Sequence, residues 1–174
     1  MNRGLYAGRF RIFHKGYMEV VKHILDQGHS GLVIAIGAAQ QSHCLDNPFS
    51  GEEREEMVAR ALREEGLNEQ VDIVQIDETS ATYENWARFV EGLCPPFHLV
   101  YSHNELARSL FRRLGYQTSL VPQFSKSEYS FDMLLRKIVN CEPWHNLLPA
   151  GVLRIMERYE LVQRIEELYS KRQT

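Results

Sequence analysis

The sequence predicts an α/β protein built on a doubly wound, parallel five-stranded sheet with a helical C-terminal part, and three observations carry that prediction. Short apolar runs of strand length alternate with stretches of helical periodicity between residues 4 and 121. One of them, 31–36, reads Gly-Leu-Val-Ile-Ala-Ile without a polar residue, as expected of a strand covered on both faces. From about residue 130 the pattern is wholly helical. Strands alternating with helices at this spacing imply right-handed crossovers, and ligands of such sheets bind outside the carboxyl ends of the strands.

The elements follow in order. An apolar start at 4–7 leads through Gly8, Arg9 and Phe10 to His14, after which Met18, Val20, Val21, Ile24 and Leu25 continue at helical spacing. The strand 31–36 ends in Gly37. Asn47, Pro48, Phe49 and Ser50 announce a second helix; Ser50 is its cap, Glu52 and Glu53 fill its first turn, and Met57, Ala61 and Leu62 form its apolar stripe as far as about Glu65. A third strand is expected at 71–76, a helix at 83–93, a fourth strand at 99–101, a helix at 105–114 ending at Gly115, and a fifth strand at 118–121. Helices at 130–140, 152–159 and 161–171 complete the chain. The turns 8–14, 37–47, 77–83, 102–104 and 124–130 all fall on the ligand edge.

At 174 residues the chain suits one domain, 1–174, with a helical extension from about 130. A formal net charge of -3 argues against a broad nucleic-acid or anionic-membrane surface. No apolar run approaches the roughly 20 residues of a membrane span, and the opening goes straight into a strand, so a cytoplasmic protein is expected. Three cysteines without a CxxC pair and seven scattered histidines give no disulfide framework and no protein-only metal site.

The stretch from Gly8 to Tyr17 joins a strand end to a helix start, which brings backbone N–H groups, a helix dipole and cationic side chains to one spot. An anion, and specifically a phosphate chain, suits it. Past the second strand, Gly37, Ala38 and Ala39 let a flat ligand approach the backbone, and Gln40, Gln41, Ser42 and His43 can hydrogen-bond it. Trp86, near the same edge, can stack on a heteroaromatic ring, although its spacing with Phe89 and Val90 also suits a core position. Lys126 and Ser130, followed by Arg136 and Lys137, form a second anion-binding candidate.

Together these residues resemble the archaeal-type nicotinamide-nucleotide adenylyltransferases of the nucleotidyltransferase superfamily, from Arg3 to about Leu168. The opening Arg3-Gly4-Leu5-Tyr6-Ala7-Gly8-Arg9-Phe10 with His14 and Gly16, the run from Gly37 to His43, Asn47-Pro48-Phe49-Ser50 with Glu53-Arg54, Trp86, Ser102 with Asn104, Pro143-Trp144 and Leu147-Leu148-Pro149 carry the resemblance. It implies a Rossmann-like nucleotidyltransferase fold and a homo-oligomer. The implied reaction is in-line transfer of the AMP part of ATP to nicotinamide mononucleotide, giving NAD and pyrophosphate, with Mg2+ accompanying ATP. The implied catalytic residues are Arg9, His14, Tyr17 and Arg136. Gly8, Arg9, Phe10, Gly16, Ser102, Asn104, Lys126 and Ser130 are expected at the nucleotide, and Gly37, Gln40, Ser42, His43, Tyr83 and Trp86 at the acceptor.

The chain departs from the family pattern in four places. Tyr17 replaces a second histidine, the segment 130–136 is altered with Arg136 one place on, Tyr83 stands where an asparagine is kept, and His103 replaces a glycine. Two alternatives stay open from sequence: a nucleotide-binding sensor or partner module without turnover, and adenylyl or cytidylyl transfer to a different phosphorylated acceptor.

Overall fold

Six consecutive buried residues make β2 (Gly31–Ile36) a strand on which both layers of helices close. The computed structural model describes residues 2–82, 84–122 and 129–173, with side chains as far as Lys171. Its sheet is five-stranded and parallel, in the order β3 (Val71–Gln75), β2, β1 (Arg3–Gly8), β4 (Leu99–Tyr101), β5 (Gln117–Ser119). The β1–β2 register runs from Arg3 opposite Gly31 to Gly8 opposite Ile36, so these two strands end level with each other.

The period-2 alternation of side chains sorts the core into two layers. Leu5, Ala7, Val33, Ala35 and Val100 face α3 (Trp86–Leu93) and α4 (Glu105–Arg113), where they meet Ala87, Val90, Leu110 and Phe111. Tyr6, Leu32, Ile34 and Ile36 face the opposite way, toward α1 (Lys15–Leu25), α2 (Gly51–Glu64) and the C-terminal helices α5 (Phe131–Val139), α6 (Ala150–Arg158) and α7 (Leu161–Gln173).

The start of α2 does two jobs. Ser50 and Glu53 form a reciprocal capping box, with Glu53 N–H donating to Ser50 Oγ at 3.2 Å and Ser50 N–H donating to Glu53 Oε2 at 2.9 Å. The same Glu53 carboxylate takes both ends of the Arg164 fork, at 2.6 and 2.9 Å, which ties α7 to α2. Farther along α2, Glu64 accepts from the Gly151 N–H at 2.8 Å, giving the first turn of α6 a partner that its own Pro149 cap lacks.

Several boundaries differ from the sequence expectation. The third helix begins at Trp86 rather than 83, because Asn85 Oδ1 accepts from the Thr82 N–H at 2.7 Å and holds the chain in a turn before the helix. The fifth strand pairs only over Gln117–Ser119; Leu120, past the ladder, is 58% exposed. A short 3-10 turn, His145–Leu147, precedes α6. Among the described residues no helix is long and apolar enough to cross a membrane.

Candidate functional site

From β1 the chain passes through α1 to β2 on one side, and later returns through α3 to β4 on the other. Strand order therefore reverses at β1, where a crevice opens over the carboxyl ends of the strands. A cavity of about 710 Å³ occupies it. Its cationic wall is Arg9 and Arg11, its aromatic groups include Tyr6, Tyr17 and Trp86, and Glu78 is the one acidic residue that lines it among those described.

The loops that leave β1 and β2 are fastened by a side chain under them. Arg54 is fully buried, and its guanidinium donates to the carbonyls of Arg9 and Gly37 at 2.9 Å, Ala38 at 2.8 Å and Ser50 at 3.2 Å. Phe10 (φ 46) and Ala38 (φ 49) hold left-handed backbone conformations that carry a steric cost for residues with a Cβ. Arg54 grips the chain at both, so it stabilises the strained peptides that shape the crevice. Burial and the neighbouring Arg9 lower its pKa, while the carboxylates of Glu52 and Glu78 oppose that shift. In the sequence Arg54 stands one turn before Met57, on the same face as Met57, Val58, Ala61 and Leu62; a cation on an apolar stripe was the signal available.

The α1 end of the crevice is an aromatic stack. His14 caps α1 by accepting the Tyr17 N–H on Nδ1 at 3.2 Å, which puts the proton of the neutral ring on Nε2. Tyr17 lies flat on His14, with ring centroids 4.0 Å apart and planes 8° apart, and packs on Phe13 and Phe10 at 5.6 and 5.0 Å. Burial pushes the His14 pKa down to about 3, so the imidazole is neutral through the physiological range. Burial raises the Tyr17 pKa, which keeps its hydroxyl a neutral donor. Tyr17 lines the cavity; His14, 5% exposed, does not.

On the third side, Trp86 Nε1 donates to Glu78 Oε1 at 2.9 Å, and the Glu78 N–H donates to Gln40 Oε1 at 3.0 Å. A side chain on Gly37 would bring its Cβ within 3.0 Å of that same carboxylate oxygen, so glycine is what lets the two loops close up here. Trp86 is half-buried: one edge meets Phe111 at 5.7 Å, as the core reading expects, and its ring also lines the cavity. At the end of β4, Ser102 Oγ donates to the Ala7 carbonyl at 3.1 Å and accepts the Asn104 N–H at 3.2 Å. Asn104 caps α4 through Oδ1, 2.9 Å from the Leu106 N–H, which leaves its Nδ2 for a ligand.

The structure thus brings Gly8, Arg9, Tyr17, Gly37, Gln40, Trp86, Ser102 and Asn104 together on one cavity. Other expected site residues lie off its wall. Phe10 is fully buried and contributes its backbone turn. Gly16 is covered by Tyr129, whose Cβ would be 2.7 Å from a Cβ at position 16, so the bare backbone there makes room for that side chain. Ser42 and His43 bond each other at 3.0 Å just outside the cavity. Ser130 caps α5, and Arg136 is exposed in its last turn and does not line the cavity. Tyr83 and Lys126 lie outside the described residues. Sequence reasoning gave no role to Arg11, Glu78 or Arg54, although Arg54 stood in one of the family motifs.

Comparison with known proteins agrees with this architecture. The Cytidylyltransferase-like family model matches residues 5–132. Nicotinamide-nucleotide adenylyltransferase of Pyrococcus furiosus is 37% identical over 169 residues, covering 97% of this chain and 89% of the relative. The protein of the same name from Archaeoglobus fulgidus is 34% identical over 172 residues, covering 95% and 97%. Two crystal structures of a bifunctional NMN adenylyltransferase/ADP ribose pyrophosphatase from Francisella tularensis superpose with TM-scores of 0.74 and 0.76, the second in complex with AMP and a Mn ion. These are 18% and 16% identical; the match covers 95% of this chain but only 52% of theirs, so this chain spans about half their length and the likeness is one of fold. The extent of the family match and the near-full-length identity to the archaeal proteins place this chain in the Cytidylyltransferase-like family, among the nicotinamide-nucleotide adenylyltransferases.

Proposed function

We propose that the protein joins the adenylyl group of ATP to nicotinamide mononucleotide, giving NAD and pyrophosphate. The observation that carries this reading is a single cavity at the strand-order reversal with two unlike walls, arginines at the end of β1 and a tryptophan at the start of α3. Arg9 and Arg11 suit the triphosphate, and the half-buried ring of Trp86 that lines the cavity suits the acceptor's pyridinium. The remaining amide hydrogens of Asn104 suit the adenylate half.

The acceptor's phosphate oxygen attacks the α-phosphorus of ATP in line, and the bond to the pyrophosphate oxygen breaks. No covalent bond to the protein forms, so the chain's task is to position groups and stabilise charge. Arg9 and Tyr17 donate toward the leaving phosphates, and neutral His14 positions Tyr17 from beneath. Mg2+ accompanying ATP would screen the phosphate charge; a wall with two arginines and one carboxylate fits a cation brought in by the nucleotide rather than held by the protein.

Incubating the purified protein with ATP, nicotinamide mononucleotide and Mg2+ should form NAD, and Arg9→Ala should lower the rate by roughly 10²–10³. Arg9→Ala should also remove most of the rise in melting temperature that ATP produces. Background NAD formation by a folded, ATP-stabilised protein would overturn transfer and leave a nucleotide-binding module.

A further inference from the structure

Glu78 stands apart from the rest of the cavity wall in charge and in how firmly it is held. Trp86 Nε1 donates to its Oε1 at 2.9 Å, its own N–H donates to Gln40 at 3.0 Å, and the bare face of Gly37 leaves it just enough room. Among the described residues Glu78 makes no ion pair, and Oε2 has no hydrogen-bond partner. Arg54, the cation whose pKa it influences, spends its donors on four carbonyls instead. A carboxylate is therefore fixed beside the indole ring, with one oxygen that bonds no other described protein group.

From this geometry, and resting on the proposed transfer to a pyridine nucleotide, we propose that Glu78 determines acceptor specificity: it selects a pyridinium ring bearing a carboxamide over the same nucleotide bearing a carboxylate. A ring stacked on Trp86 comes within reach of the carboxylate that holds the indole's N–H edge. The carboxamide nucleotide offers it a cationic ring and an N–H donor, and both are attracted. The carboxylate nucleotide replaces that donor with a second negative oxygen, so two acceptors of like charge face each other in a partly dry pocket. Arg9 and Arg11 cannot make this distinction, because the phosphate is the same in both nucleotides.

The test compares nicotinamide mononucleotide with nicotinate mononucleotide, for wild type and Glu78→Gln. The glutamine keeps the length and a carbonyl oxygen for the indole N–H while removing the charge. Both kcat/KM and dissociation constants from tryptophan quenching are measured, with Glu78→Ala as a second variant and melting curves to establish folding. Wild type should prefer the carboxamide nucleotide, and the preference should fall about tenfold in both variants. The fall should come mainly from a gain with the carboxylate nucleotide. A residue that only braces Trp86 would move both acceptors together, so an unchanged ratio overturns the proposal. Binding without turnover would overturn adenylyl transfer while the ratio of dissociation constants still decides the role of Glu78. Failure of wild type to bind either nucleotide would overturn both.

Discussion

The two ways in which this cavity is held open make an instructive pair. At the start of α1 the wall is a pile of rings, with Tyr17 on His14 at 4.0 Å and on Phe10 and Phe13 at 5.0 and 5.6 Å. Below the loops after β1 and β2 it is one guanidinium gripping four carbonyls. Ring packing is non-directional and spread over many atoms, so it tolerates the loss of a polar atom if shape is kept. The guanidinium is directional and concentrated: its removal strands several buried acceptors at once. The first region is thus built to keep a neutral donor in place, the second to keep a strained backbone in shape.

The largest effect should come from breaking the second region. Arg54→Ala leaves the carbonyls of Arg9, Gly37 and Ala38 without their partner and should cost about 3–5 kcal/mol in urea denaturation. Arg54→Lys should recover less than half of it, since an ammonium cannot reproduce the planar fork. A loss below about 1 kcal/mol for the alanine variant would show that the loops hold themselves.

Acid tests the first region. The His14 pKa is pushed to about 3 in the fold, against about 6.5 in the unfolded chain. The stability tied to its neutral form is fully present above pH 6.5 and is lost as pH falls toward 3, because the unfolded chain takes up a proton that the fold refuses. Between pH 7 and pH 5 wild type should lose about 2 kcal/mol more than His14→Asn, which keeps a good helix cap and does not titrate. Parallel stability curves for the two proteins would mean that His14 can charge within the stack.

The smallest effect sharpens the contrast. Tyr17→Phe keeps the stacked ring and should leave stability within about 0.5 kcal/mol. It removes the hydroxyl from a ring that lines the cavity, and NAD formation should fall roughly tenfold. Equal rates in both proteins would show that the ring alone serves catalysis.

The local rules of the chain were readable in its residues. An unbroken apolar run makes β2 because only a strand covered on both sides can bury every residue. Ser50 three places before Glu53 makes the cap of α2 because the two groups can satisfy each other's backbone within one turn. The small residues and amides after β2, and the tryptophan opening α3, marked two of the cavity's walls, and the family motifs located the rest of the edge. Three features required the folded chain. Arg54 shares the apolar stripe of α2, which marks it as a cation out of place but not what it holds; its partners are backbone carbonyls, which every residue has and which no residue type advertises. His14 and Tyr17 are three apart and suggested two donors side by side, but the cap geometry turns the imidazole under the phenol, leaving one of them at the wall. Glu78 meets Trp86 only because the loop after β3 folds back over Gly37. Periodicity and caps act over a few residues and so are legible in sequence; contacts between loops brought together by strand order depend on the whole sheet, and tertiary structure alone decides them.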